Sequence, residues 1–107
     1  MKTLTNDYFL KNKSVVKGSV NLNYHINDAM KFCDERYTGN VLDVIVRSVL
    51  SDYFSNLKID EESSIHRVSN SDKEAIIALM NYFINQIIPY VKLHNMSDII
   101  IDKKNEL

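Results

Sequence analysis

The side chains best suited to specific recognition lie at every second position near the start of the chain: Ser19, Asn21 and Asn23. An asparagine amide can donate to and accept from the edge of an adenine base at the same time, so this spacing could read base pairs without a large positive charge. Side chains at alternate positions of a β-strand point to one face. The pattern therefore predicts a polar strand face that contacts base edges in the major groove of DNA.

Groups suited to phosphate lie beside this face. Lys17 and His25 bracket the three polar residues and are placed for phosphate contacts. A further phosphate position is predicted at Asn40 and Val41, because the backbone N–H groups and the dipole at the start of a helix bind anions. The net charge of −1 argues against binding by bulk electrostatics, so the prediction depends on these individual contacts.

Composition and spacing exclude several other kinds of chemistry. The only glycines are Gly18 and Gly39, so the chain has no glycine-rich phosphate loop. His66 and His94 are isolated and lack metal-ligand spacing, and no paired-carboxylate or nucleophile–histidine motif occurs. Cys33 is the only cysteine and is predicted to be a small buried hydrophobe. The sequence predicts a protein that is not an enzyme, with no catalytic residue, metal or cofactor.

Length and hydropathy indicate one small domain of 107 residues. The N-terminus has no apolar run of signal-peptide length, and no stretch reaches the roughly 18 apolar residues of a membrane span. We therefore expect a cytoplasmic protein without a membrane segment. A chain of this size buries a modest fraction of its surface, so a core shared with a second copy would stabilise it.

The element that must position the polar face is an alternating strand over residues 16–25. Its other face is predicted to carry Val16, Gly18, Val20, Leu22 and Tyr24. No second convincing strand follows nearby, so we expect this strand to pair with its own copy in a second subunit. Residues 1–14 show no clear period and are predicted to form a flexible N-terminal arm.

Two helices joined by a glycine turn are predicted next. The first begins near Asn27 or Asp28 and ends at Gly39, whose left-handed conformation would close it. The second covers about residues 41–57 with Asn40 as its N-cap. Its apolar surface is too wide for one contact face, so it must be buried on more than one side. We expect a second copy to supply the missing cover.

The rest of the chain is predicted to be a linker and a C-terminal helical region. Residues 59–72 are polar and acidic and end in a Ser71 or Asp72 cap. Residues 73–107 contain a third helix that reaches toward Asn95 and is kinked or divided at Pro89, followed by a short strand or extended segment at residues 99–101. The third helix has more apolar side chains than one face uses, so core, oligomerisation surface and partner site all stay open.

The order strand, helix, glycine turn, helix over residues 18–54 resembles the ribbon-helix-helix repressors of the Arc and MetJ type. The likeness lies in the strand VNLNY at residues 20–24 and in TGNVLDVIVRSVL at residues 38–50. It implies a mainly α fold in which one N-terminal strand pairs across an intertwined homodimer, with residues 15–58 as the DNA-binding and dimerisation domain. A two-stranded β-ribbon would then enter the major groove.

The favoured function is sequence-specific binding of double-stranded DNA by a bacterial, phage or plasmid transcriptional repressor, as a homodimer that can assemble further on DNA. Two alternatives keep the DNA-binding half and give the C-terminal region a protein partner: an antitoxin that covers a toxin, and a plasmid partition or conjugation adaptor. A third alternative is a helical interaction or immunity protein without a DNA role. That protein would be monomeric and would bind no DNA.

Overall fold

A computed structural model describes residues 2–27, 34–57 and 64–102. These residues form one antiparallel sheet of five strands with two helices packed on one face. The elements are β1 Lys2–Phe9, β2 Val15–Ile26, α1 Glu35–Ser55, β3 Ile65–His66, α2 Asn70–Ile87, β4 Val91–Met96 and β5 Ile99–Asp102. The architecture is α/β, so the prediction of a mainly α ribbon-helix-helix fold with a single strand is wrong.

Strand β2 is the long central strand of the sheet. β1 pairs with one of its edges; on the other edge, β4 pairs with residues 22–26 and β5 pairs with residues 17–19. The predicted alternation is confirmed, because Val20 and Leu22 are buried while the polar residues point away from the helices. Pairing with a second copy is wrong for this strand, since both of its edges already have partners inside the chain.

The N-terminal segment is part of the sheet and not a flexible arm. Within β1, Leu4 and Tyr8 are buried. The Tyr8 ring stacks on Phe54 of α1 with the ring centroids 4.5 Å apart. Gly18 of β2 lies close to this contact, because a Cβ at that position would be 3.3 Å from atoms of the Tyr8 ring and would require the ring to shift by a few tenths of an ångström. The contact joins β1, β2 and α1.

Helix α1 is continuous through the position that was predicted to be a turn. Asp34 caps it by accepting the backbone N–H groups of Arg36 and Tyr37. Gly39 has no positive φ, so the predicted helix end there is wrong. The beginning of the predicted first helix and Cys33 fall in residues 28–33, outside the described residues. Apart from Val44, which is exposed, the apolar surface of α1 at residues 41–57 is covered by the sheet and α2 of the same chain.

Because Gly39 lies inside a helix, we expect alanine at this position to stabilise the protein. Gly39→Ala should raise the free energy of unfolding by about 0.5–1 kcal/mol, because alanine loses less backbone entropy in a helix. The new Cβ would lie 2.9 Å from Lys2 Nζ, the end of a flexible side chain that can move aside. Urea denaturation measures the change. A clear loss of stability would instead favour the left-handed turn.

The C-terminal half also differs from its prediction. Residues 59–63 of the predicted linker lie outside the described residues, but Ile65–His66 forms β3 and Val68 is buried. Ser69, and neither Ser71 nor Asp72, caps α2 by accepting the N–H of Asp72. The helix ends at Ile87, before Pro89, and β4 follows where helix was predicted. The extended segment at residues 99–101 is confirmed as part of β5.

Candidate interaction surfaces

The outer face of the sheet carries the residues that were predicted to contact bases. Ser19, Asn21 and Asn23 point away from the helices along β2. Thr5 and Ser19 hydroxyls are 2.7 Å apart, and the Thr3 hydroxyl donates to Asn21 Oδ1 at 2.6 Å. Four paired strands, β1, β2, β5 and β3, place the outer strand axes roughly 14 Å apart at about 4.8 Å per step. This sheet is too broad to enter a groove about 12 Å wide as a ribbon would.

The two residues predicted to bracket this face have different surroundings. Lys17 lies opposite Asp7 on β1 and Asp102 on β5. Two carboxylates in register reduce the positive potential that a phosphate would meet at Lys17, so the structure does not favour phosphate contact there.

His25 has basic neighbours instead. It lies opposite Lys92, and its ring centroid is 6.2 Å from that of His94. The antiparallel pairing of β2 with β4 brings the two histidines to one face of the sheet, and the sequence analysis missed this because the fourth strand was predicted to be helix. Across the described ranges, no three His, Cys, Asp or Glu side chains gather that could hold a metal ion.

The predicted phosphate position at Asn40 and Val41 is not formed. Both residues lie inside α1, where backbone N–H groups bond to carbonyl groups four residues earlier. Val41 is half-buried and packs against the core. Near the start of α1, the side chain of Asp34 already accepts the N–H groups of Arg36 and Tyr37.

The outward side of α2 is an apolar exposed surface. It carries Ala75, Ala78, Leu79, Tyr82, Phe83 and Gln86, which we call the α2 stripe. Tyr82 is 61% exposed, Leu79 44% and Phe83 41%. No Asp, Glu, Lys or Arg occurs between Glu74 and Lys92. The spacing of three and four residues places the stripe along one side of the helix.

A shallow groove between α1 and α2 continues the stripe. It has a volume of about 280 Å³ and includes Leu79 and Ala75 from α2 with Val49 and Tyr53 from α1. Asp52 provides a carboxylate at the rim. Burial raises the pKa of Tyr53, with a further contribution from the negative charge of Asp72. The groove is therefore apolar inside and acidic at one end.

Below this groove, a hydrogen bond ties α1 to the short strand β3. The Tyr53 hydroxyl and His66 Nε2 are 2.8 Å apart. Burial lowers the pKa of His66 below its ordinary value of 6.5. Asp98 fixes the next turn of chain by accepting the N–H of Val68 and binding Lys73 at 3.1 Å. The backbone hydrogen bond, followed by Lys73, lowers the pKa of Asp98.

The lowered pKa of His66 predicts a pH dependence of stability. The unfolded chain binds a proton at His66 more readily than the folded chain does, so the free energy of unfolding should fall as pH falls below about 6.5. His66→Gln should remove that part of the dependence in urea titrations at pH 5.5 and 7.5. Tyr53→Phe should lower stability at pH 7.5, whereas Tyr37→Phe, the same change at an exposed position, should not. An unchanged pH dependence in His66→Gln would contradict this account.

No protein-family model matches the chain, and no curated protein matches it. Within the described parts of the chain, neither α1 nor α2 is long and apolar enough to cross a membrane.

Proposed function

We propose that the protein is a non-enzymatic protein-binding domain that docks an amphipathic helix of a partner against the α2 stripe. The observation that carries this proposal is the absence of charge along an exposed helix side that displays Leu79, Tyr82 and Phe83. Exposed apolar surfaces of this kind mark interaction sites. Helix docking onto such a surface is a common mode of recognition and depends on apolar anchors at helical spacing.

The geometry specifies the chemistry of the partner helix. The stripe runs from Ala75 to Gln86, which is about 17 Å or three turns of helix. The partner should present an uncharged apolar face of matching length.

Selection from a random peptide library tests the proposal. Peptides are selected on the wild-type protein and counter-selected on Leu79→Lys, with Val44→Lys as a second target. Val44 is an equally exposed apolar residue on α1, outside the stripe. We expect enriched peptides with apolar residues three and four apart that bind wild type and Val44→Lys but lose binding to Leu79→Lys. Peptides that bind all three targets equally would overturn the proposal.

A second candidate, sequence-specific DNA binding, is favoured by one observation. The outer sheet face brings the basic group of His25, Lys92 and His94 next to the amide of Asn23. Contact would be made by the sheet surface, with Lys92 and His25 on phosphate. Selection from random duplex DNA tests this candidate: Lys92→Ala should weaken binding to all sequences and reduce the salt slope by about one. If the selection enriches no duplex sequence, the repressor function is excluded.

For either candidate we propose a cytoplasmic location, because the single cysteine provides no disulfide framework.

A further inference from the structure

The α2 stripe is complementary to itself when one copy is reversed. A two-fold axis midway between Met80 and Asn81 places Leu79 opposite Tyr82 of the second copy and Ala75 opposite Gln86. Tyr82 and Ala78 lie on the same side of the stripe, so the ring of Tyr82 from the second copy would lie over the two alanines. A parallel arrangement would instead place Tyr82 against Tyr82 and alanine against alanine. Antiparallel pairing therefore sets the ring of Tyr82 beside alanine as well as beside Leu79, whereas parallel pairing sets like side chains against each other.

Charge and area also fit a second copy. Two identical charged surfaces repel, whereas this helix side has no charged residue between Glu74 and Lys92. About half of each large side chain of the stripe is exposed, and an aromatic side chain can bury about 150–250 Å². Two stripes in contact would bury on the order of 1,000 Å² in total, near the lower end for specific interfaces. This area predicts a reversible dimer.

We infer that the helix docked on the α2 stripe is α2 of a second copy, in an antiparallel two-fold homodimer. This inference rests on the proposed function, since it names the occupant of the same surface. The sheets lie on the outside of this dimer, and each copy keeps its own complete core. The dimer therefore differs from the intertwined one that the sequence predicted, in which neither copy could fold alone.

Charge complementation tests the inference with the full-length chain. By sedimentation equilibrium we expect wild type and Val44→Lys to dimerise with a dissociation constant on the order of 1–100 μM. Leu79→Lys and Tyr82→Glu should each weaken dimerisation at least about tenfold, since each places a charge in an apolar contact.

An equimolar mixture of Leu79→Lys and Tyr82→Glu should dimerise again. In the heterodimer the introduced ammonium group faces the introduced carboxylate on one side of the two-fold axis, and the native contact between Leu79 and Tyr82 remains on the other. Circular dichroism of each variant is the control that tests whether it is folded.

Three results would overturn the inference, and they have different consequences for the proposed function. A wild-type protein that stays monomeric at about 500 μM, well above the expected dissociation constant, would exclude the second copy; if the peptide selection still depended on Leu79, the helix-docking function would stand. A dimer that Leu79→Lys and Tyr82→Glu leave unchanged would place self-association elsewhere on the molecule. If the two variants are monomeric but their mixture does not associate, the antiparallel pairing is wrong.

Discussion

Tyr8→Ala should cost about 3–5 kcal/mol of unfolding free energy, the range typical of removing a buried aromatic side chain. Tyr8 is 1% exposed and stacks on Phe54, so the substitution leaves a cavity where β1, β2 and α1 meet. Small domains have a total stability of about 5–15 kcal/mol, so the loss would be a large part of it. The measurement is urea denaturation followed by circular dichroism.

Phe9→Ala is the matched control. Phe9 is the next residue along β1, and its ring points to the outer face, where it is 65% exposed. Its removal should change the unfolding free energy by no more than about 0.5 kcal/mol, as is usual for a surface substitution. Equal and small effects of the two substitutions would mean that the N-terminal segment is a mobile arm, as the sequence alone indicated.

Strand β1 was missed because its inward face is not uniformly apolar. Leu4 and Tyr8 alternate along that face with Lys2 and Asn6, so apolar residues recur only at every fourth position. Asn6 Nδ2 donates to Asp43 of α1 at 3.4 Å, which explains how a polar residue is accommodated there. Without β1, the strand β2 has no neighbour in the sequence, and that gap led directly to the prediction of a dimeric ribbon.

Strand β4 was missed for a different reason. The β-bulge in its pairing with β2 breaks the alternation after Leu93, while apolar residues from Ile84 to Val91 keep a helical spacing. Pro89 marks the actual boundary, and α2 ends two residues before it. A proline interpreted as a helix end, and not as a kink, would have allowed residues 91–96 to be predicted as strand β4.

The sequence predicted which side chains share one face of a strand or helix more accurately than it predicted which strands pair. Ser19, Asn21 and Asn23 do share the outer face of the sheet, where Asn23 is exposed and the other two are half-buried, because alternation within one strand is a local property. The neighbours of that face depend on pairing over long sequence distances, which brought Lys92 beside His25 and Asp102 beside Lys17. An uncharged helix side could have been predicted for α2, because the sequence has no charged residue between Glu74 and Lys92. Only the packing shows which side of that helix is exposed.

The hydrogen bonds between α2 and β4 give the second large prediction. The side-chain amide of Asn81 accepts the Leu93 N–H at 2.8 Å and donates to the Leu93 carbonyl at 2.9 Å. It fills the position that a residue of a neighbouring strand would otherwise take. Leu93 is 1% exposed, so water cannot readily replace the amide.

Asn81→Ala should therefore lower the free energy of unfolding by about 2–4 kcal/mol, because a buried donor and a buried acceptor both lose their partner. Asn81→Asp should be at least as harmful, since a carboxylate can accept the N–H but repels the carbonyl oxygen. Asn85→Ala, one turn later and exposed, is the control and should have little effect. Urea denaturation gives the free energies, and hydrogen exchange at the Leu93 amide locates the change, because exchange should speed up in Asn81→Ala alone. Equal stabilities and equal exchange in Asn81→Ala and Asn85→Ala would mean that this amide does not join α2 to the sheet.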